Sequence, residues 1–282
     1  MNKFFKEMKE NVFKDKGYII AMLILAALTI MNIFFYFSDT NPLDENFSPY
    51  SFWSHVRITG ISAGITMKII PIVILIAAVT TFAKELYTGY YKNYLSRQSY
   101  KKYLITKIKW CYIRAVLTIP VMSIVVYCIG LLIYPSNISP STLGGFTGFL
   151  DDKAYTATAA NAIILYLTLP QILYTTIIAT IGIIVTRYCN KIYIVYAGGY
   201  IGYLVMNYFF SNNITLFLYS ALGKPKDFTN ISLSNLYNAL APAGEKYIMI
   251  YQSIILCFLI ILMCSIYKNK EKLVLGNTKS TK

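Results

Sequence analysis

Six stretches of about 20 predominantly apolar residues alternate with short polar segments along the chain, at 18–37, 64–83, 111–134, 161–185, 192–210 and 247–267. An α-helix rises 1.5 Å per residue, so about 20 residues cross the roughly 30 Å hydrocarbon layer with every backbone polar group bonded internally. The pattern predicts an all-α integral membrane protein with six transmembrane helices. Pro71, Pro120 and Pro170 fall inside the second, third and fourth stretches, where kinks are expected because neighbouring helices re-satisfy the freed carbonyls. Over residues 1–17, Phe4, Phe5, Met8, Val12 and Phe13 recur at helical spacing among lysines, as in an amino-terminal interfacial helix lying on the inner leaflet. The first apolar run is too long for a typical signal-peptide core and lacks a small-residue cleavage site, so it reads as a retained anchor. In the outer connection 211–246, two apolar runs (214–222 and 233–240) are too short to span and are followed by turn residues such as Gly223, Pro225 and Pro242. They predict short re-entrant or interfacial helices before the last span. With no internal repeat, residues 1–282 read as a single transmembrane domain closed by a cytoplasmic tail, 268–282.

Composition supports the pattern. The chain is 56% hydrophobic and 13% charged, against roughly 25% charged in soluble domains, so water is excluded as the solvent for most of its surface. The net charge of +14 would suit nucleic acid if it formed one patch, but the cations are scattered between apolar runs, and no nucleic-acid partner is expected. Their placement fixes orientation. Of the 26 lysines and arginines, 19 fall in the tails and in the second and fourth inter-span segments, and 5 in the segments assigned outside. The positive-inside rule then puts both termini in the cytoplasm of a multi-pass cell-membrane protein. Arg114 and Lys68 sit near the ends of spans, where their long stems can snorkel to the interface. The five cysteines lie in or beside apolar runs and indicate neither a disulfide framework nor a metal site.

Candidate chemistry is sparse. The one histidine, His55, falls in an outer loop, no HExxH sequence exists, and the acidic residues occupy loops, tails and helix edges. Intramembrane catalysis and ion-coupled transport both need ionisable groups at depth. The tail sequence GNTKST over 276–281 has no glycine directly before Lys279 and opens no helix, so it is no phosphate-binding loop. No catalytic residue, metal site or resident cofactor is expected in this chain.

The informative segment is the longest cytoplasmic connection, 84–110. It has a glutamate just past the second span, a glycine four residues on, an amphipathic stretch, and a basic return to the third span. Glu85, Gly89, Tyr94, Leu95, Arg97, Lys101, Tyr103, Leu104 and Lys107 carry this pattern. It resembles the E-x-x-x-G loop and coupling helix of type 2 ABC exporter permeases, in which an Arg and a Lys follow the short helix. Where that family usually has a Thr-Leu pair after the glycine, this chain has Tyr90 and Tyr91. The six spans, the interfacial helix and the interrupted outer segment extend the resemblance over most of the chain.

The resemblance implies a permease subunit paired with a second permease, identical or homologous, and with two copies of a cytoplasmic ABC ATPase that binds the ATP and Mg. Coupling would run through Glu85, Gly89, Tyr94, Leu95, Arg97 and Lys101, with apolar anchors seated in a groove of the ATPase and basic residues facing its acidic surface or lipid headgroups. It favours export of a hydrophobic or amphipathic cargo such as a peptide or antimicrobial, which a charge-poor set of spans suits. A non-transporting membrane anchor or sensor whose loop recruits a cytoplasmic partner is the alternative. Gly198-x-x-x-Gly202 lets helices approach closely in lipid, either at a permease-to-permease contact or equally within one subunit.

Overall fold

The computed structural model describes residues 2–39, 49–54, 56, 63–134, 157–189, 191–209 and 245–268. The expected re-entrant segment 211–246 lies almost wholly outside them, as does the tail beyond Lys268. The described residues form helices α1 (Asn2–Met8, continued by a π-helical turn Lys9–Phe13), α2 (Lys16–Asp39), α3 (Pro49–Ser54), α4 (Ala63–Tyr87), α5 (Tyr91–Leu95), α6 (Tyr100–Ile133), α7 (Ala157–Thr186), α8 (Ile192–Phe209) and α9 (Glu245–Tyr267). No strand occurs among them.

Four helices, α2, α4, α6 and α7, are long and apolar enough to cross a membrane, which is consistent with a multi-pass membrane protein. The five tyrosines of α8 lower its mean hydropathy, and the apolar segment of α9 over Gln252–Tyr267 is shorter. Even so, α9 is two-faced. Ile255, Leu259 and Met263 are buried, whereas Ile254, Phe258 and Ile261 stand exposed one turn apart. An outward apolar stripe of that kind needs lipid or a partner to cover it.

Helix α4 is the hub. It packs on α2, α6, α7 and α8, and 67% of its apolar window is buried against 22% for α2 and 33% for α6. In lipid the helices gain little from hiding apolar surface from one another, so close packing must hold them together. Glycines supply that closeness at two junctions. A Cβ on Gly17 would meet the Thr80 side chain at 2.6 Å, and Cβ atoms on Gly182 and Gly199 would meet Leu75 at 2.6 and 2.9 Å. Leu75 therefore fills a slot that α7 and α8 leave open by lacking side chains there.

At the opposite end from the coupling loop, α3 folds back on α6. Trp53 donates from Nε1 to the Ser123 hydroxyl at 2.9 Å, and Gly130 leaves room for Phe52 and the Pro49 backbone. Ser123 lies ten residues before the end of α6, about 15 Å along its axis. The described residues between α2 and α4 are thus packed into the bundle, held also by Asn32, which donates to the Val56 carbonyl and accepts from Thr66.

Candidate functional site: the α4–α6 connection and two ion pairs

The connection between α4 and α6 is shorter and more ordered than the apolar pattern suggests. Tyr103, Leu104 and Ile108 share a helical face among the lysines, so α6 begins at Tyr100 and runs 34 residues, about 51 Å. That exceeds the 40–45 Å of a bilayer with its headgroups. Only Thr88–Tyr90 and Ser96–Ser99 remain as turns around α5.

Gly89 makes the first turn. Its φ of +72° lies in the left-handed region, and a Cβ there would touch nothing within 4 Å. Glycine is therefore favoured by backbone conformation rather than by space. The chain reverses into α5, which is bonded through Lys92 N–H to the Gly89 carbonyl at 3.0 Å. Helix α5 buries Tyr91, half-buries Tyr94 and Leu95, and exposes Lys92 and Asn93, with Tyr90 and Arg97 exposed beside it.

Glu85 holds this arrangement in place. One carboxylate oxygen pairs with Lys107 Nζ at 2.5 Å and the other accepts from the Tyr103 hydroxyl at 3.1 Å. Tyr103 and Lys107 are four residues apart and so share one face of α6. The Lys107 ammonium also lies 4.6 Å from the centre of the Tyr94 ring, and the Tyr94 and Tyr103 rings are 5.7 Å apart. The end of α4, the short helix α5 and the start of α6 thus meet at one ammonium. Its charge is matched by a carboxylate and by the faces of aromatic rings.

A second pair sits two turns deeper. Arg114 forms a buried salt bridge with Asp15, both side chains about 95% buried. The same carboxylate accepts from the Thr81 hydroxyl and, through Oδ1, from the backbone N–H of Tyr18 at 3.0 Å. Arg114 donates further to the Trp110 carbonyl at 3.3 Å. The expectation that Arg114 snorkels gives way here. The guanidinium is buried and held by Asp15 and the Trp110 carbonyl, so it stays inside the bundle. Lys107 and Arg114 are seven residues apart on α6, and Thr81 and Glu85 four apart on α4, so the two pairs form one polar seam between these helices. Asp15 ties that seam to the junction of the amino-terminal helix with α2.

Beside the clamp a cleft of about 890 Å³ opens between Glu7 and Asn11 on one side and Tyr94, Arg97, Lys102 and Trp110 on the other. It joins the amino-terminal helix to the α4–α6 connection through a surface rich in basic and aromatic groups. Lys107 of the first pair lines this cleft, while the Asp15–Arg114 pair is buried. Among the described residues no group of His, Cys, Asp and Glu could hold a metal ion.

Of the residues singled out from sequence, Glu85, Tyr94, Tyr103 and Lys107 come together, while Gly89, Leu95 and Arg97 shape and flank α5. Lys101 points elsewhere, into a trough shared with α9. Gly198 and Gly202 face α7 of the same chain, where added Cβ atoms would meet Val185 and Ile181 at 3.0 Å. The close approach they permit is made within the subunit. Asp15 went unread as a site residue because its partner is 99 positions away; a lone carboxylate between an amphipathic helix and a span, with a lone arginine inside another span, was the available signal.

Fold and site together define a helical bundle with span-length apolar helices and a clamped basic loop at one end. Compared with models of protein families, with curated proteins and with solved structures, the chain matches none.

Proposed function

We propose that this chain is the transmembrane subunit of an ATP-driven exporter of the type 2 ABC kind. In this reading it crosses the membrane six times with both termini in the cytoplasm. A second permease completes the pathway, and two copies of a separate ATPase supply ATP hydrolysis. The cargo is hydrophobic or amphipathic, with peptides and antimicrobials the favoured class.

The observation that carries the reading is the clamp of Glu85, Tyr103 and Lys107 around Tyr94. A loop that merely set topology would need positive charge and nothing more. Here the loop is a short helix fixed rigidly to two long ones, with Tyr90, Lys92, Asn93 and Arg97 facing outward. A push on α5 is therefore delivered to α4 and α6 together, and α4 is the hub of the bundle. Closure of an attached ATPase pair would move these helices as a body.

Purification of the full chain in mild detergent from its own host tests this. Copurification of an ATPase whose turnover rises with a peptide cargo, and its loss with Glu85→Ala, supports the exporter. A chain that isolates alone, with efflux indifferent to Glu85→Ala, supports the anchor or sensor reading instead.

A further inference from the structure

Away from the clamp, the start of α6 and the end of α9 enclose a trough of about 450 Å³, within the roughly 300–1,000 Å³ of small-ligand sites. Its walls are almost wholly apolar, formed by Leu104, Ile105 and Ile108 of α6 and Met263 of α9. Two lysines stand at one end, Lys101 in the first turn of α6 and Lys268 just past α9, both exposed. From Lys101 to Ile108 the trough runs about 10 Å along the helix. The Tyr100 hydroxyl donates to the Tyr267 carbonyl at 3.1 Å and links the two helices at that end.

We propose that this trough binds one anionic phospholipid, with its phosphate between Lys101 and Lys268 and an acyl chain along Ile105 and Ile108. The pairing of charge and apolar wall selects this occupant. An extended protein segment laid in the trough would bring backbone N–H and C=O groups against walls that offer them no partner, whereas an acyl chain needs none. Two ammonium groups at the mouth favour a phosphate that carries net negative charge over a zwitterionic headgroup. Ile105 is 58% exposed, which an acyl chain would cover. The site goes beyond the exporter reading, and it assigns Lys101 to lipid rather than to the ATPase.

The test uses the delipidated full chain incubated with vesicles of equal parts phosphatidylglycerol and phosphatidylcholine, followed by native mass spectrometry of retained lipid. One phosphatidylglycerol per chain is expected, favoured about fivefold or more over phosphatidylcholine. The preference should vanish in K101Q/K268Q and persist in K84Q/K92Q, which removes the same charge outside the trough. Ile108→Trp, which keeps both lysines and fills the trough, should also release the lipid. Equal retention of the two lipids, equal loss in the K84Q/K92Q control, or undiminished retention by Ile108→Trp overturns the proposal. None of these readouts involves an ATPase, so the outcome is independent of the exporter reading.

Discussion

Lys107 on α6 and Glu85 on α4 are joined at 2.5 Å, with the Lys107 ammonium held against the ring of Tyr94 on α5 between them. Twenty-two positions separate the pair, and the α4–α6 connection is the segment they close. A contact made at both ends of a loop turns it from a tether into a lever.

Glu85→Gln should loosen that lever without emptying the space. Both side chains are mostly buried, so leaving Lys107 unpaired should cost about 2–3 kcal/mol, below the 3–5 kcal/mol of a fully buried pair. A lower melting temperature in detergent and faster proteolysis within 88–99 are the expected readouts, partly reversed by the swap E85K/K107E. An unchanged melting curve for Glu85→Gln would mean that the pair holds nothing.

The Asp15–Arg114 pair should be the more sensitive. Asp15→Asn leaves a guanidinium inside the bundle with its charge unmet, at a cost of about 3–5 kcal/mol, whereas the apolar double variant D15L/R114M should recover most of the loss. Thermal melting of the three proteins decides it. A double variant as unstable as Asp15→Asn would show that the seam needs its polarity and not only its balance.

Gly89 separates conformation from volume. With nothing within 4 Å of a built Cβ, Gly89→Asn should be tolerated better than Gly89→Val, since asparagine visits the left-handed region and a β-branched residue resists it. The expected difference is about 1–2 kcal/mol in detergent melting. Equal effects of the two variants would mean that the turn changes its path.

Burial pushes the thiol of Cys189, in the turn between α7 and α8, above its ordinary value. A raised value leaves less thiolate at neutral pH. Maleimide labelling of a variant with Cys189 as its only cysteine should therefore be slower than that of a free thiol at pH 7.5, and should keep climbing above pH 9. A rate that levels off below pH 8.5 would contradict this.

Much of the helical architecture was legible because lipid makes one demand of a spanning segment, and runs such as 64–83 meet it openly. A helix over the amino-terminal residues was legible as well; among its described apolar side chains Val12 is fully buried, while Phe5 and Phe13 are exposed. The start of α6 was not, because Lys101, Lys102, Lys107 and Lys109 mask a helical face that Tyr103 and Leu104 carry. At the site, spacing within one segment pointed to Glu85 and Gly89. It could not show that Lys107 would be the partner of Glu85, nor bring Asp15 to Arg114, since pairing across helices depends on a packing that no local periodicity encodes.

On the proposed exporter reading, α5 docks a separate nucleotide-driven motor. Asn93 is exposed on α5, so a photo-crosslinker attached at Asn93→Cys in a cysteine-free chain, irradiated in native membranes, tests it most directly. A covalent adduct with a nucleotide-binding protein, suppressed when Gly89→Val displaces α5, is the predicted result. A well-folded, efficiently labelled chain that captures only lipid, or that is labelled solely from the outer face, would contradict it.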